Sequence, residues 1–172
     1  MKAYFILLNI DRIVMGKKVL LFLLVLLTFS CKPRVTPGEE IQSVLSVIDS
    51  NIGWAKTKDT ALLYSTMIRS DDLFFFQPDS ESTIEGFNSF RKMTEEFFLR
   101  PEFQAVRHEL KNPRIHLSKS GTCAWFSAYL DDINTWKGKE IAWRNVRWTG
   151  VLEKSKGRWE IVQMHFSFPV KQ

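Results

Sequence analysis

Among the residues that could do chemistry at neutral pH, His165 comes first, because only histidine titrates there without help. It lies in Arg158-Trp-Glu-Ile-Val-Gln-Met-His-Phe-Ser-Phe168, whose alternation predicts a strand. Successive strand side chains point to opposite faces. Trp159, Ile161, Gln163, His165 and Ser167 are therefore expected on one side, and Val162, Met164, Phe166 and Phe168 on the other. Gln163 and His165 would then be the polar lining of an apolar wall. His165 is open to two readings there, a general base or a hydrogen-bonded wall residue. His108 and His116 stand among charged or polar neighbours and read as solvent-facing. The histidines lack a metal-ligand spacing such as His-x-Glu-x-x-His, so neither a metal nor a cofactor is expected.

Tyr129 alternates in step with Cys123, Trp125 and Ser127 and could point its hydroxyl inward. Arg147 is in step with Trp143 and Asn145, so it either meets an anionic ligand or Asp72, or faces solvent. Trp54, Phe76, Trp125, Trp143 and Trp159 either line a cavity or simply form core. Cys123 lies in an apolar run, Cys123-Ala-Trp-Phe-Ser-Ala-Tyr-Leu130, and reads as an inert thiol. The chain has no glycine-rich phosphate loop, nucleophile elbow or paired Cys/His arrangement.

Several elements must position these residues. Ile41, Val44, Leu45, Ile48, Ile52 and Ala55 recur at three and four residues and predict an amphipathic helix. Asp59 is placed to cap a second, short helix carrying Leu62, Leu63 and Met67. Asp71 to Pro78 predicts a strand, and Ser82-Thr-Ile-Glu85 has capping-box spacing for a third helix that ends before Pro101. After Pro101 every segment reads as strand. Two runs surround Asn112-Pro113, Thr122–Asp131 follows, then a turn at 134–138, a strand over 139–154, a tight turn at Lys156-Gly157 and the final strand. Helices followed by an antiparallel meander define an α+β fold.

Met15-Gly-Lys-Lys precedes an apolar run, Val19–Leu27, too short for a comfortable permanent span, and Ser30-Cys31 follows. The series resembles a bacterial lipoprotein signal, with Leu27-Thr-Phe-Ser-Cys31 as the lipobox. That resemblance implies a mature chain that starts at a lipidated Cys31 and sits on the membrane of a bacterial cell envelope, on its periplasmic or surface side. Residues 1–14 read as a start-site artefact ahead of Met15, 1–30 as the signal segment, 31–38 as a tether and 39–172 as one domain. Without Lys2, Arg12, Lys17, Lys18 and Asp11, the 24 basic and 19 acidic residues fall to 20 and 18, and the formal charge from +5 to +2. The basic balance is thus mostly leader, and no nucleic-acid partner is expected.

Three segments resemble the NTF2-like superfamily in its SnoaL-like branch. They are Ile52-Gly-Trp54 with Lys58-Asp59, Leu62-Leu63 and Asp71-Asp72-Leu73; Ile84-Glu-Gly86 with Phe90; and Gly157-Arg-Trp-Glu-Ile-Val-Gln-Met-His-Phe-Ser167. The resemblance implies a cone, in which N-terminal helices pack on a curled antiparallel or mixed sheet around an apolar pocket. It also carries an acid over to Asp72 or its neighbour Asp71, where a turn aspartate is the plainer reading. Three functions follow: an envelope protein that holds a small apolar or amphipathic molecule; an isomerase, dehydratase or hydrolase using His165 with Asp72 or Tyr129; or an oligomerisation or interaction module. Apolar residues on both faces of the last strand predict a homodimer through the sheet face.

Overall fold

The computed structural model describes residues 35–78 and 83–169. The leader, Cys31 and Ser82 lie outside the described residues, and with them the lipobox and the first residue of the expected capping box.

Helix α1 spans Pro37–Gly53. A capping box does open this helix, at Thr36: the Thr36 side chain accepts from the Glu39 N–H, while the Glu39 carboxylate accepts from the Thr36 N–H at 2.7 Å. Pro37 fills the first turn, where a missing N–H costs nothing. The helix buries Val44, Ile48 and Asn51 against β3 (Phe103–Leu117) and β6 (Arg158–Ser167). After a tight turn at Trp54–Lys56, Asp59 caps α2, Thr60–Ser65, accepting from the Leu62 N–H at 2.9 Å as the sequence predicts.

The third helix begins differently from expectation. Residues 83–85 form strand β2, Thr83–Glu85, paired antiparallel with β1, Phe74–Phe76, in the register Phe75↔Ile84. Pairing buries Ile84 beside Phe75, which a solvent-facing cap would not do. Helix α3, Gly86–Met93, then starts at Gly86 with φ +79°, where a Cβ would stand 3.5 Å from the Asp71 backbone. A widened helical turn, Thr94–Phe98, continues it, and the buried Thr94 hydroxyl donates to the Phe90 carbonyl at 2.9 Å.

Strands β4, Cys123–Trp136, and β5, Lys139–Ser155, complete a six-stranded sheet in the order β2-β1-β6-β5-β4-β3. All neighbours are antiparallel except β1 and β6, which run parallel. The expected cone is corrected here. The sheet is open, neither closed nor curled on itself, and β2 and β3 end it as separate edges. The α+β layering with a mixed sheet stands, and the helices cover one face.

Bulges decide which side chains reach that face. Between Val151/Gln163 and Leu152/Ile161 the register slips, so Val162 is an extra residue in β6. Between Leu130/Val146 and Asp132/Trp143 it slips again. There Asp131 Oδ1 accepts from Lys111 Nζ at 2.8 Å and from the Asn145 N–H at 2.7 Å, and Asn145 adopts φ +54°. Those two bonds, Lys111 foremost, hold the Asp131 carboxyl below its ordinary pKa. Each extra residue inverts the alternation beyond it. At the α1 end, Glu40 accepts from Trp159 Nε1 at 2.7 Å and pairs with Lys154 Nζ; Lys154 first and Trp159 second keep its carboxyl ionised below the usual range.

Candidate functional site

The helix-covered face holds a cavity of about 840 Å³. Its walls are largely apolar: Phe90 and Phe98 from the helical side, Phe75, Trp143, Met164 and Phe166 from the strands. The last three reach it because of the bulges. Trp143 precedes the β5 slip and Met164 and Phe166 follow the β6 slip, and all three turn inward.

Four polar side chains break this lining: Asn51, Gln77, Asp132 and Asn134. Asn51 is satisfied, donating to the buried Thr66 hydroxyl at 2.8 Å, and Gln77 rests its amide on Met93 Sδ at 3.3 Å. Asp132 and Asn134 sit two residues apart on β4 and so share its inner face. Burial pushes the Asp132 carboxyl up, opposed by the neighbouring Asn134 amide and by His108. Asn134 is 7% exposed, and its Oδ1 finds no hydrogen-bond donor among the described residues. Register pairing puts His108 opposite Asp132, and His108 Nε2 lies 3.0 Å from Asp49 Oδ1 on α1. Gly53 makes room for that imidazole, since a Cβ there would meet His108 Cε1 at 3.1 Å.

The expected site residues are mostly elsewhere. His165 stands exposed on the outer face with its ring beside Phe76, because Val162 shifts it out of step with Trp159 and Ile161. The same slip leaves Gln163 half-buried on the outer side, and the β5 bulge separates Arg147, exposed, from Trp143, inside. Trp125, Tyr129 and Phe76 also face outward, 47%, 45% and 47% exposed. Asp72 is exposed and accepts from the Ser70 hydroxyl at 3.2 Å. Trp54 and Trp159 are buried in the core rather than against the cavity. Of the expected ligand-facing residues, Trp143 is the one that lines it. His165, Asp72 and Tyr129 therefore do not converge with one another at the cavity. Asp132 and Asn134 had a faint sequence signal: polar residues flanking Ile133 in a strand whose inner face is otherwise apolar.

The outer face has its own order. The register lines up His116, Trp125, Val151, Gln163 and Phe74 in one row and Arg114, Ser127, Thr149, His165 and Phe76 in the next. Glu153 with Glu160 lies beyond the first row, and Tyr129 with Arg147 beyond the second.

Helices on one face of a six-stranded mixed sheet, with a cavity between them, define an NTF2-like fold. Solved structures agree. An NTF2-like superfamily protein from Salmonella enterica serovar Typhimurium superposes with TM-score 0.63 at 19% identity, covering 79% of this chain and 95% of that one. An NTF2-like protein from Cytophaga hutchinsonii gives 0.60 at 12% identity, covering 78% and 100%. The association domain of CaMKII from C. elegans gives 0.56 at 19% identity, covering 75% and 95%. No curated protein matches the chain. The family model for the SnoaL-like domain matches residues 44–171, and the chain belongs to that family.

Proposed function

We propose that this protein is an association module that pairs with a second copy of itself through the outer face of its sheet. The carrying observation is the aromatic band on that face, Trp125, Tyr129 and Phe76, each nearly half exposed where a solvated sheet face would be polar. Likeness to the association domain of CaMKII, which shares the fold, supports the same reading. So does the charge order along β5, where Arg147, Thr149, Val151 and Glu153 all face out. A two-fold axis between two such sheets, crossing the strands at Gly150, sets each Arg147 over the partner's Glu153. The same operation lays Trp125 over the level of the partner's Ser127 and Thr149, so a large side chain meets small ones. Among the described residues neither Arg147 nor Glu153 has an ion-pair partner within the chain.

Sedimentation of the full chain in detergent, with the detergent mass subtracted, should give twice the chain mass at micromolar concentration. Arg147→Glu should set two like charges against each other across the axis and yield monomer. Adding Glu153→Arg should restore the dimer, because the pair is only reversed. A wild-type monomer, or a single reversal without effect, would overturn the arrangement.

The module is, in this reading, held to a bacterial envelope membrane by a lipidated Cys31. Support comes from the Lys-Lys, apolar run and Ser30-Cys31 series. A single acyl chain binds a membrane only marginally, so stable anchoring needs two or more. Intact mass of the membrane-extracted protein should show an N-terminus at Cys31 with diacylglycerol added, and Cys31→Ser should abolish both. A mature N-terminus upstream of Cys31 without lipid would remove the anchor.

A further inference from the structure

We infer that the dimer lies on an anionic phospholipid surface along its two β3 edges, with its strands parallel to the membrane. The inference rests on the sheet pairing and the Cys31 anchor proposed for the chain.

Symmetry narrows the poses first. Two copies anchored in one bilayer and related by a two-fold axis need that axis along the membrane normal, because any other direction presents different sides of the two copies to the bilayer. The axis of the paired sheets lies between them and crosses the strands, so it runs along the strand order β2-β1-β6-β5-β4-β3. One end of it emerges at both β3 edges and the other at both β2 edges. In either case the strands lie flat on the membrane.

The anchor reaches both edges. Cys31 precedes Thr36 by five residues, which is up to about 18 Å of extended chain. In the first turn of α1, Glu40 bonds Lys154 on β5 and Trp159 on β6. Those strands stand two or three places from either edge, a distance of about 10–14 Å.

Charge chooses between the edges. β3 carries Arg107, Lys111 and Arg114 against a single carboxylate, Glu109, and Lys119 follows in its turn. The segment 77–86, which contains β2, carries Asp79, Glu81 and Glu85 and neither lysine nor arginine. An anionic surface therefore draws the β3 edge down and repels the other. A further strand of protein does not fit there. Val106 is an extra residue in the β3–β4 ladder and half exposed, and Pro113 stands at a second slip. Bulges, prolines and edge cations all keep another strand from adding to a sheet, while headgroups make no such demand on register.

The test uses the processed protein in a Cys123→Ser background, reconstituted in vesicles of phosphatidylcholine with phosphatidylglycerol. A bimane is placed at Val106→Cys on the β3 edge or at Thr83→Cys on the β2 edge, and nitroxide-labelled headgroups quench it by proximity. The two edges are five strand spacings, about 24 Å, apart, so quenching should be at least about threefold stronger at position 106. Arg107→Glu with Lys119→Glu, both exposed and near the two ends of the edge, should abolish that preference while the protein still floats with the vesicles and sediments as a dimer in detergent. Wild-type protein that does not float removes the anchor, and a floating monomer removes the pairing; either takes the pose with it. A floating dimer quenched equally at both edges, quenched more at position 83, or unaffected by the charge reversal overturns the pose alone.

Discussion

Gly150→Ala should destabilise the fold by about 3 kcal/mol, the upper range for overpacking a buried site. A Cβ at this position would lie 2.6 Å from Phe126 Cε1 and 2.7 Å from the Gln163 carbonyl oxygen. The ring could swing, but the carbonyl belongs to β6 and cannot yield without spreading the β5–β6 ladder. Gly150 is paired with Met164, one residue beyond the pair Val151↔Gln163 where the β6 bulge begins. Any spreading there would disturb the slip that turns Met164 and Phe166 toward the cavity. A urea unfolding curve is the measurement: the midpoint should fall while the slope stays constant. A midpoint equal to the wild type would mean that the strands part at negligible cost and that the glycine is incidental.

Position 150 also shows where sequence reasoning stops. Element types were legible wherever periodicity or caps carried them: α1 from its three-and-four spacing, α2 from Asp59, and the four long strands from their alternation and turns. The third helix was misjudged at its start because Thr83-Ile-Glu85 satisfies two local patterns, and only the burial of Ile84 against Phe75 decides for the strand. The family was legible too, and the SnoaL-like match covers the residues read that way. The closure of the sheet was not, since an open edge and a curled one share the same alternation.

The readings of His165, Gln163 and Arg147 failed for one physical reason. Side-chain direction was read by counting twos from Trp159 to His165 and from Trp143 to Arg147, and each count crosses a bulge. One unpaired residue reverses every direction after it. His165 thus exchanged places with Met164 and Phe166, and Arg147 with Val146 and Trp148. A positive φ at Asn145, a residue type that tolerates it, is the one local trace of the β5 slip. Val162 leaves no such trace in composition. The aromatics, open in sequence to lining or core, divide further: Trp143 lines the cavity, Trp148 and Trp159 fill the core, and Trp125 faces out.

Trp148→Ala should cost about 4 kcal/mol, as removal of a fully buried large aromatic does when the site cannot collapse. Trp148 has no solvent exposure; it meets Phe126 edge to face, at 5.1 Å between ring centres, and stacks on Phe166 at 5.3 Å. Phe166 in turn packs on Trp143 at 5.3 Å, so the hole would open directly behind the cavity wall. Trp148→Phe should behave very differently. The indole Nε1 is buried with no hydrogen-bond partner among the described residues. Removing that orphan donor recovers about 1–3 kcal/mol, which offsets most of the lost ring volume. The phenylalanine variant should therefore unfold within about 1 kcal/mol of the wild type while the alanine variant falls far below it. Thermal and urea unfolding of the pair separates packing from polarity at one position. Equal losses in both variants would show that the shape of the indole, and not its bulk, holds β5 between the cavity on one face and the aromatic band on the other.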